Sequence, residues 1–411
     1  MKITFTILLL FNLLQSFAQN LNNIWYFGTN AGVDFNSGTP LALTNGQIPM
    51  SEGCTSICDS SGNLLFYSDG VDVWNKNHTL MPNGSSLKGG YSMTQSIIAI
   101  PKPGSYNLYY LFTVQPIYGI HYSELDMNLN AGLGDINSNK NIQIGNNTVE
   151  KLTAVRHQNG IDYWIITHES YSNNFNVYLV NSAGVYLTPV ISSVGTSLNS
   201  ISEAGYLKAS PNGELLASAL FYMDTVEIFD FNKTTGQITN PRALNGFLYY
   251  GAYGLEFSPS NQFLYVSDAN DSISNLYQYD LTDPNIESTK TLITTLQGYT
   301  GALQLAPNGK IYICVADSLY LSSIENPNGS GLTCNYLHNS LYMGGQSTFI
   351  GLPNYVNDSF NSLLNVPEFS QIKKTLVRIV DILGRPAENK PNTLLICIYN
   401  DGTTEKIFRI K

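Results

Sequence analysis

Ala209-Ser210-Pro211-Asn212-Gly213-Glu214-Leu215-Leu216-Ala217-Ser218 returns as Phe257-Ser258-Pro259-Ser260-Asn261-Gln262-Phe263-Leu264-Tyr265-Val266, and again as Leu305-Ala306-Pro307-Asn308-Gly309-Lys310-Ile311-Tyr312-Ile313-Cys314. The three prolines fall 48 residues apart both times. Each copy reads as strand, tight turn, strand: proline presets φ at the first turn position, and Asn or Gly accepts the positive φ that follows. A third strand is expected after each, over 225–231, 275–281 and 318–324. Weaker copies centre on Asp59-Ser60-Ser61-Gly62-Asn63, Pro101-Lys102-Pro103-Gly104-Ser105 and His157-Gln158-Asn159-Gly160. That makes six units between residues 52 and 345. Short strands repeating every ~40–50 residues mark a β-propeller, whose blades are four-stranded sheets. A seventh unit is split: residues 24–43 supply outer strands, and 349–356 supply an orphan inner one. The expected fold is therefore all-β, a propeller of seven four-stranded blades with a split closing blade, six or eight blades being the alternatives. A β-sandwich does not account for the constant spacing.

Composition agrees. The chain has 411 residues, 20 Lys plus Arg and 30 Asp plus Glu, a net charge of −10. Charged residues are 12%, against about 25% in typical domains. With 12% aromatics, 27 Tyr and 34 Gly, the chain is neither disordered nor composed like a helical bundle. A nucleic-acid binder would carry a basic footprint that this chain lacks.

The ends read as addresses. Lys2, the apolar run 7–14 and the small residues Ser16 and Ala18 form a signal peptide over 1–18, with cleavage between Ala18 and Gln19. Its apolar run is shorter than the ~20 residues of a membrane-spanning helix, and no later stretch is long and apolar enough to span, so no transmembrane segment is expected. A propeller domain over 19–357, a linker over 358–372 and a β segment over 373–411 follow. Residues 371–411 hold eight Lys or Arg and four Asp or Glu, a net +4, which leaves −14 for the rest. The turn signal Asn400-Asp401-Gly402 between β-type runs predicts a strand followed by a hairpin.

Asp381-Ile382-Leu383-Gly384-Arg385, followed by Tyr399-Asn400-Asp401-Gly402 close to the chain end, resembles the C-terminal sorting segment of Bacteroidetes proteins exported by the type IX secretion system. The segment is shorter than the common form and lacks its Gly-x-Tyr step before the last strand. The resemblance implies the type IX machinery as a partner, passage through the outer membrane, and a secreted or surface-attached product. Residues 23–43, 51–84, 150–169 and 351–355 likewise resemble secreted Bacteroidetes surface proteins, a group that implies location and fold but no reaction.

Five cysteines, at 54, 58, 314, 334 and 397, leave at least one thiol unpaired. Four strand residues separate Cys54 from Cys58 by ~13 Å, too far for a bridge; Cys314 and Cys334 could pair only across neighbouring strands. The prediction is of small buried hydrophobes. Trp25, Trp74 and Trp164 are expected in the core, and His121, His157 and His168 are scattered without a catalytic pattern.

Propellers bind at the mouth of the central channel. By register, the candidate ligand-binding residues there are Glu52, Gln95, Lys151, Glu203 and Tyr253, with Ser51, Thr94, Glu150, Ser202, Tyr299 and Thr300 beside them. Paired carboxylates could do acid–base work or hold a divalent cation. The plainer reading is that these groups bond backbone at the hub and hold blades together. No cofactor is expected; the Asp268–Ser272 loop offers calcium a weak site. Asp-Thr-Val at 224–226, Asp-Ser-Ile at 271–273 and Asp-Ser-Leu at 317–319 resemble a Bacteroidetes O-glycosylation acceptor or form plain Asp-Ser turns. The expected function is a non-catalytic binding or adhesion module for an extracellular protein or glycan. The alternatives are a metal-dependent propeller hydrolase or lyase at the channel mouth, and a structural part of export or gliding machinery.

Overall fold

The structure is a computed structural model that describes residues 21–49, 52–199, 203–247, 250–270, 272–356, 376–381, 385–387, 394–399 and 404–408. The signal peptide with Ala18 and Gln19, the linker, and Leu383, Gly384, Asp401 and Gly402 lie outside the described residues. The chain divides into two compact units, Met1–Ser362 and Leu363–Lys411.

The described residues of the first unit form seven antiparallel sheets. The three most regular are the copies quoted above. The fifth sheet is Leu207–Ala209, Leu215–Leu220, Thr225–Phe231 and Ile238–Asn245. The sixth is Ala252–Phe257, Phe263–Asp268, Ile273–Asp280 and Thr291–Gln297. The seventh is Thr300–Leu305, Ile311–Val315, Tyr320–Ile324 and Tyr336–Tyr342. Their first turns close as expected, with Gly213 N on Ser210 O at 2.8 Å and Asn261 N, at φ 63°, on Ser258 O at 2.9 Å.

The upstream units are less even. The second sheet has three strands, Thr55–Cys58, Leu64–Ser68 and Val73–Asn75. The third runs Ile97–Pro101, Leu108–Gln115 and Gly119–Asp126, and the fourth Thr148–Arg156, Tyr163–Glu169 and Asn174–Asn181. In both, two short segments share the outer edge where one strand would stand: Asp135–Ile136 with Ile142–Gly145, and Gly184–Val185 with Val190–Ser193.

Burial falls along the four-stranded sheets. In the sixth, the first two strands are buried throughout, and the fourth alternates buried with exposed. A sheet whose first strand is covered on both faces and whose last meets water stands radially around a hub. The apolar clusters fit: Val155, Trp164, Phe175, Leu207 and Phe229 fill the space between the fourth and fifth sheets, and Tyr265, Leu276, Leu303 and Ile313 that between the sixth and seventh. This is a β-propeller.

The first sheet, Ile24–Phe27, Ala31–Asp34 and Leu41–Leu43, has three strands. Residues 349–356 lie where its missing first strand would stand, but they bond sideways. Ala302 N of the seventh sheet donates to Ile350 O at 2.8 Å, Asn354 N donates to Cys54 O at 2.7 Å, and Pro353 bridges Cys54 in parallel. No ladder joins this segment to Ile24–Phe27 among the described residues; the one bridge to that sheet is Thr29 with Ser347. The approach is so close that a Cβ at Gly351 would sit 1.5 Å from Glu52 O. Trp25 fills in behind, its ring 6.0 Å from Tyr312 and 6.2 Å from Tyr355.

The second unit is a three-stranded sheet ordered Leu376–Val380, Leu394–Tyr399, Thr404–Phe408. Asp381 and Arg385 close its first turn, Arg385 Nε donating to Asp381 Oδ2 at 2.8 Å. Tyr399 pairs with Leu376 at the strand end.

The candidate site at the hub mouth

Strands alternate in direction, so the turns joining second to third strands share one end of the propeller with the links that enter each first strand. Their bonds tie the two sets: Ser170 N to Asn147 O, Tyr222 N to Tyr250 O, Ala316 N to Tyr299 O. Glu52, Glu150 and Glu203 all stand at this end, one from each of three sheets.

Each carboxylate has hydroxyl partners. Glu52 accepts from Ser92 Oγ at 2.8 Å and from Tyr253 OH at 3.1 Å. Glu150 Oε2 accepts from both N and Oγ1 of Thr94 at 2.9 Å. Glu203 Oε1 accepts from Ser170 Oγ at 2.7 Å. Burial pushes the Glu52 carboxyl up to about 7; the Ser92 and Tyr253 hydroxyls oppose this, and the Glu150 charge adds to it. Glu150 is likewise raised by burial, with the Glu203 charge contributing. An uncompensated carboxylate in poor solvent favours its neutral form.

Gln95 and Lys151 sit deeper than the mouth. Gln95 is buried and pairs like a strand with Leu207, donating from Nε2 to Leu207 O at 3.0 Å and accepting from Leu207 N at 2.7 Å. Lys151 Nζ donates to the carbonyls of Ala204, Gly205 and Ala219, each at 2.7 Å. Burial drives this ammonium down to about 7, while three acceptors match its three protons. Through these bonds both side chains join blades. Sequence reasoning missed their companion. Asn354 donates to Leu152 O at 2.8 Å and Ile97 O at 3.3 Å while its backbone holds Cys54. It also missed Lys208, whose Nζ donates to Glu256 Oε2 at 3.2 Å and to Gln304 Oε1 at 2.5 Å, all three buried in successive sheets. Their signal was the repeat itself: 208, 256 and 304 are spaced as the prolines are.

Tyr253 is buried and anchors an aromatic run. Its ring lies 5.7 Å from Tyr206, 5.6 Å from Tyr299 and 5.6 Å from Phe221, which in turn lies 4.4 Å from Tyr222. The run thus leads from Glu52 out to an exposed tyrosine.

The remaining candidates disperse. His168 is buried, pushed down to about 4, with Nδ1 2.8 Å from Glu169 O. Asp268 accepts from Asn275 N and Nδ2 within its own sheet. All five cysteines are free and buried, and the three tryptophans are core. Among the described residues, no three His, Cys, Asp or Glu side chains converge closely enough to hold a metal ion, and no helix is long and apolar enough to cross a membrane. A shallow cleft of about 780 Å³ lies at the opposite end, lined by Asn23, Asp34, Asn36, Asn63 and Lys76 among others.

No family model matches the chain, and no curated protein matches it. Solved structures do. A proposed 6-phosphogluconolactonase from Bacteroides uniformis is 11% identical, covers 78% of this chain and 96% of its own, and superposes with a TM-score of 0.52. One from Bacteroides fragilis gives 11%, 82%, 98% and 0.49. The Swd1 β-propeller domain of Myceliophteria thermophila gives 11%, 72%, 93% and 0.44. At such identity the likeness is one of fold alone.

Proposed function

We propose that this chain is a secreted or surface-displayed β-propeller that acts as a non-catalytic binding module, taking an extracellular protein or glycan at the hub mouth. Its polar hub side chains are engaged in joining blades, and the groups turned outward are tyrosines and carboxylates. The observation that carries the reading is backbone conformation. Tyr171 and Tyr222 sit at φ 56° and 63°, a region that bulky residues avoid, and both are exposed on turns at the mouth. Rigid aromatics beside adaptable polar groups make good contact surfaces. The test presents the full chain to panels of glycans and extracellular proteins beside a Tyr171→Ala/Tyr222→Ala variant. A ligand that binds both equally would place the site elsewhere.

Export through the type IX machinery rests on the two ends of the sequence. Deleting residues 371–411 in a Bacteroidetes host is expected to retain the protein inside the cell. Unchanged surface display would remove the sorting role.

A second reading is a hydrolase or lyase at the same mouth, and the pKa of Glu52 near 7 favours it, since that suits a general acid–base. Metal content and calcium-dependent melting test its metal-dependent form. Turnover of a lactone panel that is lost in Glu52→Gln would replace the binding reading.

A further inference from the structure

We infer that the ligand taken at this mouth is a lysine- or arginine-rich protein segment, an inference that rests on the binding reading above. The first ground is charge. Among the described residues, the turns between second and third strands in sheets two to seven carry the exposed Asp224 and Asp317 and the half-buried Asp72, with Asp69 buried behind them, and no Lys or Arg. Glu52 and Glu203 come in from the links. Lys88 and Lys290 reach the same end, on Tyr118 and on Gly246 O, so the face is acidic on balance, which attracts cations and repels acidic partners.

The second ground is aromatic placement. The residue two past the second strand is Tyr171 in the fourth sheet, Tyr222 in the fifth and Asp317 in the seventh, and all three are left-handed, at φ 56°, 63° and 56°. Tyr171 is 68% exposed and Tyr222 51%. Ser170, the residue before Tyr171, donates to Glu203, which puts a carboxylate one residue away from the tyrosine. A ring face with an adjacent carboxylate is what an ammonium or guanidinium prefers.

The third ground is a worked example in the same rim. Tyr118, in the equivalent turn of the third sheet, already carries a cation: Lys88 Nζ lies 4.4 Å from its ring centroid. Tyr222 packs one side against Phe221 and Tyr250, and the exposed remainder of its ring and that of Tyr171 are open to a partner's side chains. Neutral sugars would also stack on the rings and donate hydroxyls to the aspartates, but only a cation gains from the net charge as well.

The experiment measures fluorescence anisotropy of labelled deca-lysine on the full chain, with calorimetry of maltohexaose as the neutral probe. Deca-lysine is expected to bind, and Tyr171→Ala/Tyr222→Ala, which leaves net charge unchanged, is expected to weaken it about tenfold. Tyr171→Phe/Tyr222→Phe keeps both rings and should retain the affinity, which separates lost contact from lost fold. Deca-lysine binding that ignores both variants would be diffuse attraction to an acidic chain and overturns the inference. Tyrosine-dependent binding of maltohexaose without deca-lysine overturns it too, while leaving the binding reading standing. Binding of neither probe overturns the cationic ligand, and the panel above then decides the binding reading by itself.

Discussion

The hub and the mouth of this propeller both display polar side chains on inner strands and their links, yet they use them oppositely. In the hub, Gln95, Lys151, Lys208, Glu256, Gln304 and Asn354 are buried, and each bonds to a sheet other than its own. At the mouth, Glu52, Glu203, Tyr171 and Tyr222 meet water on at least one side. Polarity at a repeated position is therefore no sign of a ligand site: the group at the hub replaces backbone pairing between blades. Substitutions in the hub should cost stability, and those in the mouth should cost affinity.

The largest expected effect is at Glu256, which is 0% exposed. Its carboxylate accepts from Lys208 Nζ at 3.2 Å, Leu305 N at 3.0 Å and Phe257 N at 3.0 Å. Glu256→Ala strands a buried ammonium and two amides, a loss of about 4 kcal/mol. Denaturant unfolding reads it, and a loss under about 1 kcal/mol would mean that the hub network is dispensable. Replacing Lys208, Glu256 and Gln304 together by apolar residues of similar volume should be much better tolerated.

Asn354→Ala comes next. It leaves Leu152 O and Ile97 O without donors, at a cost of about 2–3 kcal/mol. The same residue helps hold the closing segment to the second sheet, so limited proteolysis should now cut within 343–353. Unchanged protease resistance would show that the ring is closed by packing around Trp25 instead.

Glu52→Gln acts on pH dependence. Between its free pKa of 4.5 and its folded value of about 7, the folded state holds the extra proton. Its contribution to stability is complete below pH 4.5 and is lost as pH rises through about 7. Melting temperatures should therefore decline across that window in the parent and decline less in the variant. Asp69, pushed up to about 6 by burial, supplies part of the remaining slope. Equal slopes in the two proteins would mean that Glu52 is better solvated than its surroundings imply.

The contrast also explains what could be seen in the sequence. The fifth to seventh sheets were legible because Pro211, Pro259 and Pro307 mark turns whose geometry only a few residue types satisfy. The upstream sheets were harder because their outer edges are built from broken segments, such as Asp135–Ile136 and Ile142–Gly145, which carry little periodicity of their own. Residues 349–356 were recognised as belonging between the ends of the ring, but their sideways bonding to Cys54 and Ala302 depends on contacts about 50 to 300 residues away and leaves no local pattern. Glu52 and Glu203 were read at the mouth by register. Gln95 and Lys151 share that register, and only the presence of backbone acceptors from the next sheet sends them inward. The left-handed tyrosines were invisible, because nothing in Ser170-Tyr171-Ser172 or Phe221-Tyr222-Met223 signals positive φ.

Those tyrosines provide the smallest effect and the sharpest test of the contrast. A residue retained for stability gains nothing from a left-handed backbone, since for most side chains that conformation costs about 1–2 kcal/mol. Asn tolerates it, as Asn261 does at φ 63° and Asn335 at φ 55°. Tyr171 is exposed, and its turn is closed by backbone bonds that its side chain does not make. Tyr171→Asn should therefore raise stability, by about 1 kcal/mol, while lowering affinity for whatever the mouth binds. Thermal melting and ligand titration on the same preparation read the two effects. Stability that falls would mean that the ring holds its own turn together, which would place Tyr171 with the hub residues and leave Tyr222 as the mouth's remaining strained contact.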